Sequence, residues 1–289
     1  MQFIKKIFSP FISIVKFIQE NFKAMLFLLL LFLIFAPTSE DELKTNNLEQ
    51  IYLTGPIMEV SEVVDQIEKA TKNSSIKGIL LNVDSPGGSV SPSIEIAYAI
   101  KRAREVKPVV VYASGTIASG SYYASIWANE IIANPGSMVG SIGVIMQGAN
   151  FSELMNKVGV STQTVQAGKY KQVGTMDRKW TDDEVQELNK VIDGTYKMFV
   201  SDVANARHLD INNSNNFANA HIFTAEQAKE VGLIDSLGVS HDAKAKLAKL
   251  SKVTKPVWNQ EDKFEKLMKK ISAQAAVTLS TYFPPLVLK

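Results

Sequence analysis

The chain has no cysteine among its 289 residues, which excludes disulfides, thiolate metal sites and a cysteine nucleophile. It has three histidines, His208, His221 and His241, each in a polar, loop-like or helix-edge context with no acid at recognisable spacing. A histidine-activated serine therefore has no visible support. Charge of one sign is also lacking: 31 basic residues face 29 acidic ones, for a net charge of +2. Without a basic excess to neutralise phosphates, nucleic acid is not an expected partner. The phosphate-loop pattern G-x-x-x-x-G-K-[ST] is absent, and no serine lies in the G-x-S-x-G elbow of α/β-hydrolases. There is no repeat of fixed period and no low-complexity tract.

What is present is a globular composition, 46% hydrophobic and 21% charged, with room for a buried core. The longest apolar run is "AMLFLLLLFLIFAP", residues 24–37, about 14 residues against the roughly 20 that span a bilayer as a straight helix. Lys5, Lys6, Lys16 and Lys23 precede it, and Glu40, Asp41 and Glu42 follow. Cations ahead of an apolar segment favour a cytoplasmic N-terminus. Residues 1–37 are thus expected to be an uncleaved membrane anchor spanning at about 24–37. A cleaved signal peptide is the alternative, although no A-x-A cleavage pattern follows. Residues 38–48, "TSEDELKTNNL", read as a polar linker.

Beyond it, compact apolar runs alternate with segments of helical spacing. "QIYLTGPI", "KGILLNV", "PVVVYAS", "EIIANP" and "GSIGVIM" read as strands. Helices are expected at 60–72, 91–106, 119–128, 151–158, 182–206, 225–231 and 241–250. This alternation indicates an α/β layered fold with a largely parallel sheet. The body is placed at 49–252 and a C-terminal extension, mixing charges with an apolar end, at 253–289.

Two turns bear on chemistry. In "NVDSPGGSV" a buried strand ends at Gly87 and Gly88, where bare backbone amides could hold a developing oxyanion. In "VVVYASGTIASGSYYAS" a second strand runs through a Gly/Ser turn into a helix near Ser119. A serine there is a candidate nucleophile, and equally a simple helix cap. Its base must come from elsewhere. Lysine serves when burial lowers its pKa from about 10.4 toward neutrality. The glycine-bounded loop "GKYKQVG" offers Lys169 and Lys171, between which spacing alone does not choose.

Taken in order, "DSPGGSV", "ASGSYYAS", "GSIGV", "GKYKQVG" and "TAEQAKEVGLIDSLG" resemble the bacterial signal peptide peptidase A family. The resemblance covers roughly 51–250 and implies a Clp protease/crotonase-like fold of repeated ββα units. It implies Ser119 as nucleophile, Lys171 as general base and Ser141 as the residue orienting that lysine. Gly88 and Gly120 amides would form the oxyanion hole, with no metal or cofactor. Ser121 stands where the family usually has a second glycine, and so enters as a rival hydroxyl. The implied activity is that of a serine endopeptidase degrading hydrophobic peptides, remnant signal peptides above all. The implied setting is a homo-oligomer tethered to the bacterial inner membrane with its body on the periplasmic side. A non-catalytic oligomeric scaffold and a crotonase-like acyl-CoA enzyme are the alternatives on the same fold.

Overall fold

The computed structural model describes residues 46–259 and, before them, residues 16, 17, 19–28 and 31. Asn46–Trp258 is one compact unit, and the earlier residues belong to another. Those earlier residues are helical. Among the described residues no helix is long and apolar enough to cross a membrane. Most of the expected anchor at 1–37, most of the linker and the extension beyond 259 lie outside the described residues.

Four parallel strands form the centre: β1 (Glu49–Thr54), β2 (Ile79–Ser85), β3 (Val109–Ala118) and β4 (Glu130–Ala133). The short β5 (Met138–Gly140) pairs with the far end of β3 and, antiparallel, with β6 (Ile222–Thr224). β7 (Ser236–Leu237) closes the other edge beside β4. Helices α1 (Ser61–Lys72), α2 (Val90–Arg104) and α3 (Gly120–Ser125) follow the first three strands. The rest are α4 (Ser152–Lys157), α5 (Asp182–Arg207), α6 (Ala225–Glu230) and α7 (Ser240–Leu250).

Ile79–Leu81 of β2, Val109–Ala113 of β3 and Ile131–Ala133 of β4 are unbroken buried apolar runs because both faces of the sheet are covered there. Ile79, Leu81, Val83, Val109 and Val111 share one core with Ile67 of α1, Ile96 and Ile100 of α2, and Phe199 and Val203 of α5. The alternate residues Leu80, Val110, Tyr112 and Ile132 face Ala243 and Leu247 of α7. Period-two alternation thus divides each strand between two layers, at about 1.5–3 kcal/mol for each large aliphatic side chain removed from water. Lys107 is buried among them, and its Nζ donates to the carbonyls of Ala70, Asn73 and Ile76 at 2.7, 2.9 and 2.9 Å. A cation there caps the carboxyl end of α1.

β3 runs past the expected "PVVVYAS", to Ala118, and it bends on the way. Its first half pairs with β4 and its last three residues with β5. The β2–β3 register shifts between Val83 and Ser85, and the Asp84 carboxylate accepts the Thr116 amide at 2.8 Å. Gly115 admits that carboxylate, since a Cβ there would lie 2.3 Å from Asp84 Oδ1. "GSIGVIM" is a strand only up to Gly140. Ser141 then takes φ 49°, while its amide donates to the His221 carbonyl at 2.7 Å, continuing the β5–β6 register one step past the strand.

The compact body also extends beyond 49–252. Trp258 bridges Leu48, and the Val257 carbonyl accepts the amides of Asn47 and Leu48 at 2.9 and 3.2 Å.

Candidate active site

The two glycine turns meet at the carboxyl ends of β2 and β3. Ser119 follows β3 with φ 53° and ψ −122°, outside the relaxed regions for a residue with a Cβ, so strain of order 1–3 kcal/mol is stored there. Its amide donates to the Gly140 carbonyl at 2.8 Å, and its carbonyl accepts the Tyr123 amide at 3.0 Å. The turn is therefore pinned to β5 on one side and to α3 on the other. Every residue of α3 is buried, which removes room for the turn to relax.

Gly87 makes this packing feasible. With φ 93°, its α-carbon lies so near the serine turn that an added Cβ would stand 2.6 Å from both the Ala118 carbonyl oxygen and the Gly120 nitrogen. Gly88 is pressed on the opposite side by Ile57, whose carbonyl oxygen would lie 2.1 Å from a Cβ. The Gly88 nitrogen would in turn lie 3.2 Å from a Cβ on Gly120. The Gly88 and Gly120 amides thus flank the serine turn, and neither finds an acceptor among the described residues. For Gly120 this follows from its place as first residue of α3, where no earlier helical carbonyl exists.

A cleft of about 560 Å³ opens over this point, bordered by Gly88, Ser119, Gly120 and Ser141. Its walls are largely apolar: Val90 and Ile94 from α2, Tyr123 from α3, and Ile192, Met198 and Phe199 from α5. The Tyr123 ring packs edge-on to Phe199 and its hydroxyl donates to the Asp202 carboxylate. Burial first, and then this carboxylate, hold the phenol well above its ordinary pKa. Among the described residues neither the Ser119 nor the Ser141 hydroxyl has a hydrogen-bond partner, and no histidine side chain lines the cleft. No metal-ligating cluster occurs among the described residues.

Ser121 is not a second nucleophile in this geometry. It is fully buried, its hydroxyl donates to the Ser85 carbonyl at 2.7 Å, and its oxygen accepts the Ala118 amide at 2.9 Å. Both valences of the oxygen serve the backbone.

The expected lysine is not among the residues that line the cleft at Ser119. Residues 141–181 form an arm between β5 and α5, and Lys171 lies on it, exposed and outside the cleft lining. Lys169 is committed to Asp183 at 2.6 Å. The arm folds on itself through Trp180, whose Nε1 donates to the Thr175 carbonyl at 2.8 Å, and through the Phe151 amide on the Met176 carbonyl at 2.7 Å. Its far end is fixed by Arg178, which grips the buried Glu184 carboxylate with two bonds of 2.7 and 2.8 Å. That pairing, with the Thr181 amide, draws the Glu184 pKa down to about 2. Glu184 and Thr181 also form the capping box that starts α5.

Sequence reasoning missed the cleft's far wall. Tyr196 accepts the Asn219 amide at 3.0 Å, and Asn219 and Ala220 both adopt positive φ where they border the cleft. Nothing in "NNFANAHI" announces that turn.

A model of the family described as Peptidase family S49 matches residues 101–254, and one described as Clp protease matches 42–135. The chain is 42% identical over 193 residues to a Methanocaldococcus jannaschii protein named as a candidate protease, covering 67% of this chain and 62% of that one. It is 35% identical over 190 residues to an Enterococcus faecium protein named as a candidate signal peptide peptidase SppA, covering 65% and 55%. To Protease 4 of Salmonella typhi it is 36% identical over 214 residues, covering 70% and 34%. The chain therefore spans less than two thirds of the length of each of these three relatives. A solved ClpP1 mutant from Listeria monocytogenes aligns over 67% of this chain and 93% of its own, at 15% identity and a TM-score of 0.47.

Proposed function

The chain belongs to peptidase family S49, and from that membership we propose that it is a serine endopeptidase acting on hydrophobic peptides through Ser119. The observation that carries the reading is the strained Ser119 turn, with a hydroxyl free of protein partners on an apolar cleft and the unpaired Gly88 and Gly120 amides beside it.

In the reaction, neutral Lys171 takes the Ser119 proton as Oγ bonds to the substrate's carbonyl carbon. The Gly88 and Gly120 amides stabilise the resulting oxyanion. The lysinium then protonates the leaving amine as the C–N bond breaks. Water, deprotonated by the same lysine, releases the acyl group and regenerates Ser119. Ser141, one of the residues lining the cleft, orients the lysine. No metal or cofactor takes part.

Because Lys171 is exposed and does not line the cleft, the proposal includes assembly. The arm presents Val160, Val165 and Met176 to solvent, apolar area that a neighbouring copy would cover. In a homo-oligomer an arm from one copy delivers Lys171 to the Ser119 of the next. The basic leader and the apolar run at 24–37 support a tether to the inner membrane, N-terminus cytoplasmic and body periplasmic. Remnant signal peptides, apolar and membrane-bound, are the substrates such a placement suits.

The test is cleavage of a quenched apolar peptide by the full chain and by Lys171→Ala at matched folding. Loss of cleavage supports lysine as the base. Full activity in the variant would move the role to another residue, with Lys169 next.

A further inference from the structure

The apolar cleft contains one charged side chain among its described lining residues, Asp193 on α5. Most acids on or near this helix are already engaged. Asp183 holds Lys169 at 2.6 Å, Glu184 holds Arg178 at 2.7 Å, Glu187 holds Lys190 at 2.6 Å, and Asp202 accepts the Tyr123 hydroxyl. Asp193 takes part in no ion pair or hydrogen bond among the described residues, although Lys190 and Lys197 stand three and four positions away on the same helix. The carboxylate on the substrate path is thus left unengaged.

A solvated surface acid needs no explanation by itself, but the surroundings of Asp193 differ from open surface. Ile192, Met198, Phe199 and Tyr123 line the same cleft and lower its polarity. A charge beside an apolar wall interacts more strongly with an arriving opposite charge than one in bulk water. The complementary ligand is therefore an extended peptide carrying an apolar stretch and, at a nearby position, a cation. Signal peptides have that composition, a positively charged leader followed by an apolar core.

We propose that Asp193 is a specificity-determining residue that binds a basic side chain of the substrate while adjacent apolar side chains fill the cleft. This rests on the peptidase reading and names the substrate class for the same site: apolar peptides flanked by lysine or arginine. It assigns Asp193 no part in bond breaking.

The test uses the full chain and two sets of quenched apolar peptides. One carries a single lysine at each successive position; the other carries norleucine in its place. For the unaltered protein, at least one position gives a lysine-over-norleucine ratio in kcat/KM of about fivefold, the size expected of a partly exposed ion pair. Raising the salt concentration shrinks the ratio. Asp193→Asn brings it to about one, and Asp193→Lys turns the preference toward a glutamate-bearing peptide. A ratio that is absent at every position, or unchanged in Asp193→Asn, overturns the inference. Anisotropy of the same peptides, end-labelled, separates the two claims. Lysine-selective binding that depends on Asp193, without cleavage, sinks the peptidase reading and leaves this one standing. Cleavage with no lysine preference does the reverse.

Discussion

The Ser121 hydroxyl donates a 2.7 Å hydrogen bond to the Ser85 carbonyl and accepts the Ala118 amide at 2.9 Å, joining the turn after β2 to the turn that carries Ser119. Ser85 continues the link, donating to the Gly55 carbonyl at 2.6 Å and accepting the Gly87 amide at 3.2 Å. The two backbone segments that would form the oxyanion hole are therefore tied by two buried serines rather than by packing alone.

Replacing Ser121 with alanine leaves a buried carbonyl and a buried amide without partners, at a cost of about 1–3 kcal/mol. The expected result is a lower urea midpoint at unchanged m-value, together with a fall in kcat larger than any change in KM. Equilibrium unfolding and steady-state kinetics on one preparation would check both.

Gly87→Ala tests the close approach of the turns. At φ 93° the new Cβ would stand 2.6 Å from backbone atoms of Ala118 and Gly120, so the serine turn must shift. Loss of one oxyanion donor costs about 10²–10³ in kcat, and a displaced turn should approach that loss. Gly55→Ala is the control, because it shares a positive φ of 70° but meets nothing within 4 Å. It should lose stability without a comparable loss of kcat.

The arm's anchor makes a pH prediction. Arg178, followed by the Thr181 amide, holds the Glu184 pKa at about 2, below the roughly 4.3 of a free glutamate. A depressed carboxyl stabilises the fold above its unfolded pKa and loses that contribution as pH falls toward the folded value. Between about pH 4.5 and 2 the junction of arm and α5 should loosen. Protease nicking near 178–184 should rise over that range, and Glu184→Gln should show the same nicking at neutral pH. An unaltered digestion pattern in acid would contradict this.

Much of the body was legible because period-two and helical spacing survive wherever a face is buried, so the helices at 61–72 and 182–207 stand within a residue or two of expectation. The strand reading of "GSIGVIM" went astray past Gly140, since the positive φ at Ser141 ends the strand while the letters that follow stay apolar. Ser121 looked like a competitor because sequence shows a hydroxyl but not its two buried partners. Lys171 is the harder case. Sequence order can pair it with Ser119, yet the protomer leaves it exposed, since nothing local dictates where a long arm docks.

That arm gives a further test. If each site joins Ser119 of one copy to Lys171 of another, mixed Ser119→Ala and Lys171→Ala chains should regain activity, to roughly a quarter of the unaltered protein by random pairing. Co-expressing or refolding the two variants together would measure it. No recovery would mean that each copy supplies its own lysine.

The most direct measurement is cleavage of a quenched apolar peptide by the full chain against its Ser119→Ala form, with matched circular dichroism spectra. The account predicts a fall of at least about 10³-fold, as loss of an activated nucleophile entails. Equal rates in the two proteins, or no cleavage by the unaltered chain in its assembled form, would contradict it and favour a scaffold that has kept the fold without the chemistry.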